Sequence, residues 1–316
     1  MDQSKTVLVF GGTGHFGRHI VRNLAAKGVP VRVLTRSATR ARGILPKAVE
    51  LVEGDIESGE AVSKAIHDVG RVVVSISAFN CKQIRRMRDI ERDAVIAALD
   101  KAGRVGISRV VYLSVFDIQE ETIEQPLPDF AQIKLEVERY LKSSCFNWTV
   151  IGVPPSMEIF FAMIRGNRMV VPGGGLKALP TISSVDLGEI VAQTTVRDDF
   201  GGRRIRVAGP ELLSFPEAAK RLSSVYGKTI RVLAVPMVLP RMAWYVTRPF
   251  IRLSGTLYFV NTILSFIRLL NKFPQEIALR ALEDHKNLVR TFDYTPTTLV
   301  MEAKRRLDAE RSNIEY

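Results

Sequence analysis

Val7-Leu-Val-Phe-Gly-Gly-Thr-Gly-His-Phe-Gly-Arg18 decides how the rest of the chain is read. The apolar run Thr6 to Phe10 has the length of a buried strand. Glycines follow at 11, 12, 14 and 17, and Phe16, Ile20, Val21 and Leu24 then recur at helical spacing. Strand, tight glycine turn and helix is the setting in which a glycine motif carries weight. Glycine lets the backbone turn sharply and approach a pyrophosphate, while the N–H groups and dipole of a helix N-terminus attract its charge. The spacing is Gly11-x-x-Gly14-x-x-Gly17, not the commoner G-x-G-x-x-G. It predicts a dinucleotide loop made by Gly11, Thr13, Gly14, His15, Phe16 and Gly17; a glycine turn without a ligand is the plainer alternative.

Beyond this loop, strand signals recur at 7–10, 31–35, 49–53, 71–76, 109–114 and 147–151, with helical patterns near 16–27, 58–68, 82–102 and 130–143. Several strands are valine-rich and apolar on both faces, as in a parallel sheet covered by helices on both sides. The alternation predicts an α/β protein with a doubly wound parallel sheet of Rossmann type. Residues 1–152 are read as the NAD(P)-binding domain. Residues 153–316 are read as a smaller, mostly helical substrate domain, with 182–208 returning to the sheet.

The ends of the strands carry the other candidate groups. An NAD site usually places a carboxylate after the second strand, where it holds the ribose 2′-hydroxyl; this chain has Thr35-Arg36-Ser37, and an arginine there favours the 2′-phosphate of NADP. NADP(H) is therefore expected over NAD(H). Gly54-Asp55-Ile56 follows the third strand, where Asp55 suits either an adenine amino group or a helix cap. Ser75-Ile-Ser77 after the fourth strand forms a small-residue edge along which a cofactor can lie.

The 316 residues carry a net charge of +12, with basic concentrations at 36–42, 82–92 and 304–311. There is no arginine-rich arm and no zinc-finger spacing, so solvated faces and a phosphorylated cofactor explain the charge better than nucleic acid does. The two cysteines are too few for a disulfide framework, and the four histidines show no metal-ligand pairing. No metal is expected. A strand beginning by residue 6 leaves no room for a signal peptide, which implies a cytoplasmic protein, placed at most peripherally on a membrane.

The segments at 11–18, Leu34-Thr-Arg36, Gly54-Asp55 and Tyr112-Leu-Ser114 together resemble the atypical short-chain dehydrogenase/reductases, in particular the NmrA-like and isoflavone-reductase-like branch. Phe130-Ala-Gln-Ile-Lys134 resembles that branch's lysine helix, and Ile182-Ser-Ser-Val-Asp-Leu-Gly188 its recurring segment before a helix that returns to the sheet. The main branch of the superfamily uses Y-x-x-x-K, with phenol and ammonium on one helix face. Here the lysine is present and the tyrosine is replaced by Phe130, which cannot transfer a proton. Three roles are open to Lys134. It serves alone as general acid/base, as the resemblance implies; or it grips the nicotinamide ribose while Tyr112, Ser114 or water handles the proton; or the site holds NADP without turnover. Val153 and Pro154, in the stretch Gly152–Ser156, are expected to pass over the nicotinamide end. Met157, Phe160, Phe161 and Met163 suit a pocket lining or a core.

In the second half, Gly173–Gly175 reads as a hairpin or hinge, Ser214-Phe-Pro-Glu217 as a capping box, and Pro296 as the first residue of the last helix. Between 236 and 273 the sequence is apolar and contains no acid; Arg241, Arg248, Arg252, Arg268 and Lys272 are its charges. Such helices suit an anionic membrane interface, a cap over a lipophilic pocket or an oligomer contact, against the plainer reading of a buried core hairpin. The expected function is an NADP-dependent oxidoreductase reducing a small apolar carbonyl, quinone or conjugated substrate. The alternative is a non-catalytic NADP(H)-binding redox sensor or accessory protein, with a homodimer mate or a membrane complex as partner.

Overall fold

The computed structural model describes residues 6–116, 128–250, 253–271 and 274–311. The first half builds strand and helix in alternation: β1 (Val7–Phe10), α1 (Gly17–Ala26), β2 (Val31–Thr35), α2 (Ala38–Ile44), β3 (Glu50–Glu53) and α3 (Gly59–Ile66). Then come β4 (Arg71–Val74), α4 (Ala94–Arg104), β5 (Arg109–Val115), α5 (Asp129–Ser143) and β6 (Asn147–Val153). The remainder contains α6 (Glu158–Ala162), β7 (Ile164–Arg165), β8 (Arg168–Pro172), β9 (Leu179–Pro180), α7 (Ser184–Val196) and β10 (Arg203–Arg206). The last elements are β11 (Leu212–Leu213), α8 (Phe215–Tyr226), β12 (Arg231–Val235), α9 (Val238–Thr247), α10 (Gly255–Asn271), α11 (Gln275–Thr291) and α12 (Leu299–Arg311).

The chain divides into two compact units, one of residues 1–153 with 187–206, the other of 154–186 with 207–316. The first unit holds a seven-stranded sheet in the order β10-β6-β5-β4-β1-β2-β3, every pair parallel. This is the doubly wound α/β fold, with the order of strands reversing beside β1. Valine-rich strands read as buried on both faces, and they are. On one face Leu8, Val72, Val110 and Val150 pack with Val62, Leu99 and Leu141 of α3, α4 and α5. On the other, α1 and α7 approach closely: a Cβ on Gly188 would lie 2.6 Å from the Cβ of His19.

Arg109 ties the N-terminal edge of the sheet together. It is buried, donating to the Asn147 carbonyl (2.9 Å), Thr149 Oγ1 (2.7 Å) and the Thr194 carbonyl (2.8 Å). Burial lowers its pKa to about 10, with the neighbouring Arg71 adding to the effect. At the other end of β6, buried Glu138 pairs with Arg204, whose guanidinium also donates to the Val115 carbonyl. These two arginines join β10 and α7 to a sheet whose other strands come from residues 7–153.

The second unit contains a three-stranded sheet, β12-β8-β7, a two-stranded one, β11-β9, and the helices α8 to α12. The capping box at Ser214 and Glu217 forms as expected. Asp186 is buried and accepts from the Thr297 backbone N–H (2.7 Å) and hydroxyl (2.6 Å). Burial raises its pKa.

Several expectations need correction. Gly173–Gly175 is a 3₁₀ turn at the end of β8, not a hairpin; the hairpin of this region joins β7 to β8. The last helix begins at Leu299, so Pro296 precedes it instead of opening it. The pattern at 82–102 is a 3₁₀ turn, a π-helical turn at Asp89–Asp93 and then α4. The helices α2 and α11 had no counterpart in the sequence reading: α2 is short, and α11 is largely polar around a few buried positions. Met157 and Phe160 are core. The region 236–271 is not a buried hairpin, since α10 has no buried residue; Arg252 and Lys272 lie outside the described residues.

Two glycine replacements separate backbone packing from helix propensity. Gly17→Ala places its Cβ 2.0 Å from the Gly11 carbonyl oxygen and is expected to cost at least ~2 kcal/mol in urea unfolding. Gly43→Ala, in α2 with no atom near its Cβ, is expected to be neutral or to stabilise by up to ~1 kcal/mol. Equal effects would contradict this packing.

Candidate cofactor site and the Lys134 anchor

The glycine loop lies at the C-terminal edge of the sheet, between β1 and α1 and beside β4. That is where open α/β sheets bind ligands. Gly11 has φ of +79°, and a Cβ there would sit 2.4 Å from the Ser75 carbonyl oxygen. Its own carbonyl accepts from Gly14 N–H at 2.9 Å. Gly12 is packed on the Val33 side chain. Thr13 is half-buried, Gly14 and His15 are exposed, and the Phe16 ring lies 4.8 Å from that of His15. Helix α1 then starts with no side-chain cap at Phe16 and no acid in its first turn. The positive end of its dipole is left uncompensated.

The outer rim is formed by β2 and β3. Arg36 is exposed and makes no ion pair among the described residues. Ser37 caps α2, its hydroxyl accepting from Arg40 N–H. Asp55 closes a local turn by accepting from Glu57 N–H at 3.1 Å, while Ser58 caps α3. Ile56 and Ile76 are partly buried against the core cluster, and Ser77 is exposed.

On the far side of the loop, Lys134 is held in place. Its ammonium donates to the Ile76 carbonyl at 2.8 Å and pairs with Glu91 Oε2 at 2.8 Å. Only 13% of the Lys134 side chain and 3% of Glu91 are exposed. Glu91 Oε1 in turn accepts from Ala78 N–H at 2.5 Å, so one carboxylate fixes both the lysine and the strand-end backbone that the lysine touches. The ammonium lies 5.4 Å from the centre of the Tyr112 ring. An ammonium has three donors. Two are used here, and no protein partner for the third is found among the described residues.

Phe130, where the phenol would stand, packs edge to face with Phe79 at 6.0 Å. Tyr112 is completely buried, and its hydroxyl has no hydrogen-bond partner among the described residues. Burial pushes that phenol well above its ordinary range, and the carboxylates of Glu91 and Glu138 add to the effect. Ser114, on the same face of β5, is also buried, and its hydroxyl has no hydrogen-bond partner among the described residues. Val153 ends β6 in the first unit, and Pro154 belongs to the second.

Glu91 had no place in the sequence reading. Its signal was an acid on an otherwise apolar stripe: Ile84, Met87, Val95 and Ala98 are buried at helical spacing around it. A charge in that position needs a buried partner. The π-helical turn at Asp89–Asp93 is where it enters the site, as such turns often do.

The NmrA-like family model matches residues 3–247. Among curated proteins, the photosystem II assembly factor Ycf39 of Synechocystis is 23% identical over 248 residues, covering 77% of this chain and 74% of that protein. The NAD(P)H azoreductase of Xenophilus azovorans is 23% identical, covering 75% and 79%. Among solved structures, the Escherichia coli NADPH-dependent quinone oxidoreductase complexed with NADPH shares the fold with a TM-score of 0.71 at 17% identity, covering 95% of this chain and 99% of that one.

The buried phenol has a measurable consequence. Its pKa is raised above 10 in the folded state, so folding favours its neutral form. This contribution is constant below pH 10 and is lost as pH rises beyond it, by up to ~1.4 kcal/mol per pH unit. Denaturant unfolding of Tyr112→Phe should show a shallower decline above pH 10 than the wild type; identical slopes would mean the hydroxyl is not buried.

Proposed function

The chain belongs to the NmrA-like family, and from that premise we propose that it is an NADPH-dependent reductase of an apolar carbonyl, quinone or conjugated substrate. The observation that carries the proposal is the anchored Lys134, an ammonium with one donor unmatched among the described residues. The loop fits a dinucleotide: a side chain at Gly11 or Gly17 would fill the space over which the backbone turns, and the end of α1 suits a pyrophosphate. In this reading Gly11, Thr13, Gly14, His15, Phe16 and Gly17 hold the phosphates, Arg36 takes the ribose 2′-phosphate, and Asp55 and Ile56 flank the adenine. Ser75 and Ser77 border the path to the nicotinamide, whose chemistry is hydride delivery.

The proton side of the reaction falls to Lys134. Phe130 cannot supply a proton, and the phenol of Tyr112 is enclosed. Lys134 Nζ is directed by the Ile76 carbonyl and Glu91, and its third donor, unmatched among the described residues, suits a substrate oxygen or the nicotinamide ribose. Glu91 is a positioning residue: it acts through Lys134 and through the Ala78 amide. Tyr112 supports the ammonium with its ring, and Ser114 and Val153 line the same strand ends.

A second reading has its own observation. Phe130 removes the usual proton donor, and one similar protein is described as an assembly factor. A chain that binds NADP(H) without turnover accounts for both.

Steady-state oxidation of NADPH with a panel of quinones and enones distinguishes the two. Turnover that falls on the order of 10²–10⁴-fold in Lys134→Ala supports the reductase; absent turnover in the wild type, or turnover undiminished by the change, overturns it. Glu91→Gln should lower kcat about tenfold, equivalent to ~1.4 kcal/mol of lost positioning, with a smaller loss of NADPH affinity. Arg36→Ala should weaken NADPH binding by roughly 10–100-fold, the range of a lost charged hydrogen bond, and leave NADH unaffected. An unchanged NADPH to NADH ratio would remove the assignment of Arg36.

A further inference from the structure

In the second unit, α9 and α10 pack on each other through their polar side. Trp244 Nε1 donates to Ser265 Oγ at 3.3 Å, and Asn261 Nδ2 donates to the Trp244 carbonyl and to Thr247 Oγ1 at 3.4 Å. The apolar side is turned outward. Val238, Met242, Tyr245 and Val246 recur at i, i+4, i+7 and i+8, one stripe of α9, and Phe250 and Leu253 continue it beyond the helix. These six side chains are each between 51% and 75% exposed. No residue of α10 is buried either. A soluble monomer seldom leaves so many large apolar side chains together in water.

The charges around the stripe identify what covers it. Arg241, Arg248 and Arg268 are all exposed, and none makes an ion pair among the described residues. Arg248 and Arg268 instead lie over the Trp244 ring, at 4.8 and 6.0 Å from its centre. No acid occurs anywhere between 236 and 273. An isologous contact with a second copy would oppose this cationic patch to itself, with no carboxylate in the segment to offset it. None of the described helices is long and apolar enough to cross a bilayer. An apolar stripe flanked only by arginines, with an aromatic ring at its border, matches the headgroup region of an anionic bilayer.

We propose that α9 and α10 form an interfacial anchor that seats the protein on anionic lipid, with the stripe Val238–Leu253 among the acyl chains and the arginines at the phosphates. The proposal does not depend on the reductase reading, because nothing in it requires turnover.

Flotation with phosphatidylcholine vesicles, with and without phosphatidylglycerol, tests it. The wild type should float with the anionic vesicles and remain largely behind with the neutral ones. Arg248→Glu and Arg268→Glu should each weaken partitioning by at least about fivefold, the equivalent of ~1 kcal/mol per basic group at such a surface. Val246→Glu should abolish it while leaving the far-ultraviolet circular dichroism and melting temperature unchanged, because the side chain it replaces is already in water. Trp244 fluorescence, read in a Trp148→Phe background, should shift to the blue on anionic vesicles. A wild-type protein that stays in solution with both vesicle types overturns the proposal. So does binding that is indifferent to Val246→Glu, or a concentration-dependent dimer in sedimentation that Val246→Glu dissolves when no vesicle binding is seen.

Discussion

Backbone touching backbone is the constraint on which the first unit is built. The turn after β1 passes so close to the Ser75 carbonyl that no side chain fits at Gly11, and α1 starts so close to Gly11 that none fits at Gly17. These contacts fix the exit of β1, the entry of α1 and the end of β4 relative to one another. The parallel order β4-β1-β2 then places the uncapped end of α1 at the carboxyl edge of the sheet. A dipole end without a carboxylate partner is tolerated there because it faces outward. The same feature makes the edge attractive to an anion.

The second constraint is electrostatic. Two charges taken out of water are favourable only when each finds geometry good enough to replace its hydration. Glu91 and Lys134 meet that condition through four contacts: the pair itself, the Ile76 carbonyl, the Ala78 amide and the Tyr112 ring. Three of these are to the end of β4 or to the strand beside it, so the ion pair also sets the shape of the edge along which a cofactor is proposed to lie. Replacing the tyrosine by Phe130 changes the local chemistry without loosening this frame, because the ring is taken up by Phe79.

The sheet was legible in the sequence because its strands are valine-rich runs at regular intervals, and the glycines announced the turn. Lys134 is singled out by the resemblance of 130–134 to the lysine helix of the NmrA-like branch. Glu91 is not, because its meaning lies in a partner 43 positions away, and an acid on an apolar stripe does not by itself say which charge it meets. Tyr112 and Ser114, two residues apart on β5, are both candidates for the proton, and strand alternation puts them on one face. On that face the Tyr112 ring is enclosed in the core with side chains of α4 and α5. Periodicity reports which residues share a side, not how deep that side lies. The short α2 and the polar α11 escaped for a related reason: their burial is confined to a few positions, too few to make a period.

The distribution of positive charge separates what an excess of twelve cannot. In the basic stretch at 82–92, Arg88 and Arg92 both pair with Glu136, whose pKa Arg88 holds down, and Arg86 pairs with Glu57. Arg71 is matched by Asp198 and Arg204 by Glu138. These charges are spent on packing one element against another. The exposed arginines without a carboxylate partner considered above fall in two places, Arg36 at the rim of the glycine loop and the group at 241, 248 and 268 around the apolar stripe. None has a carboxylate partner among the described residues; Arg248 and Arg268 lie over the Trp244 ring, an interaction worth only about 0.5–1 kcal/mol at an exposed site. A small phosphate is the anion proposed for the single arginine; the three arginines beside exposed aromatic and aliphatic side chains match the chemistry of the extended anionic, apolar-cored surface proposed for them.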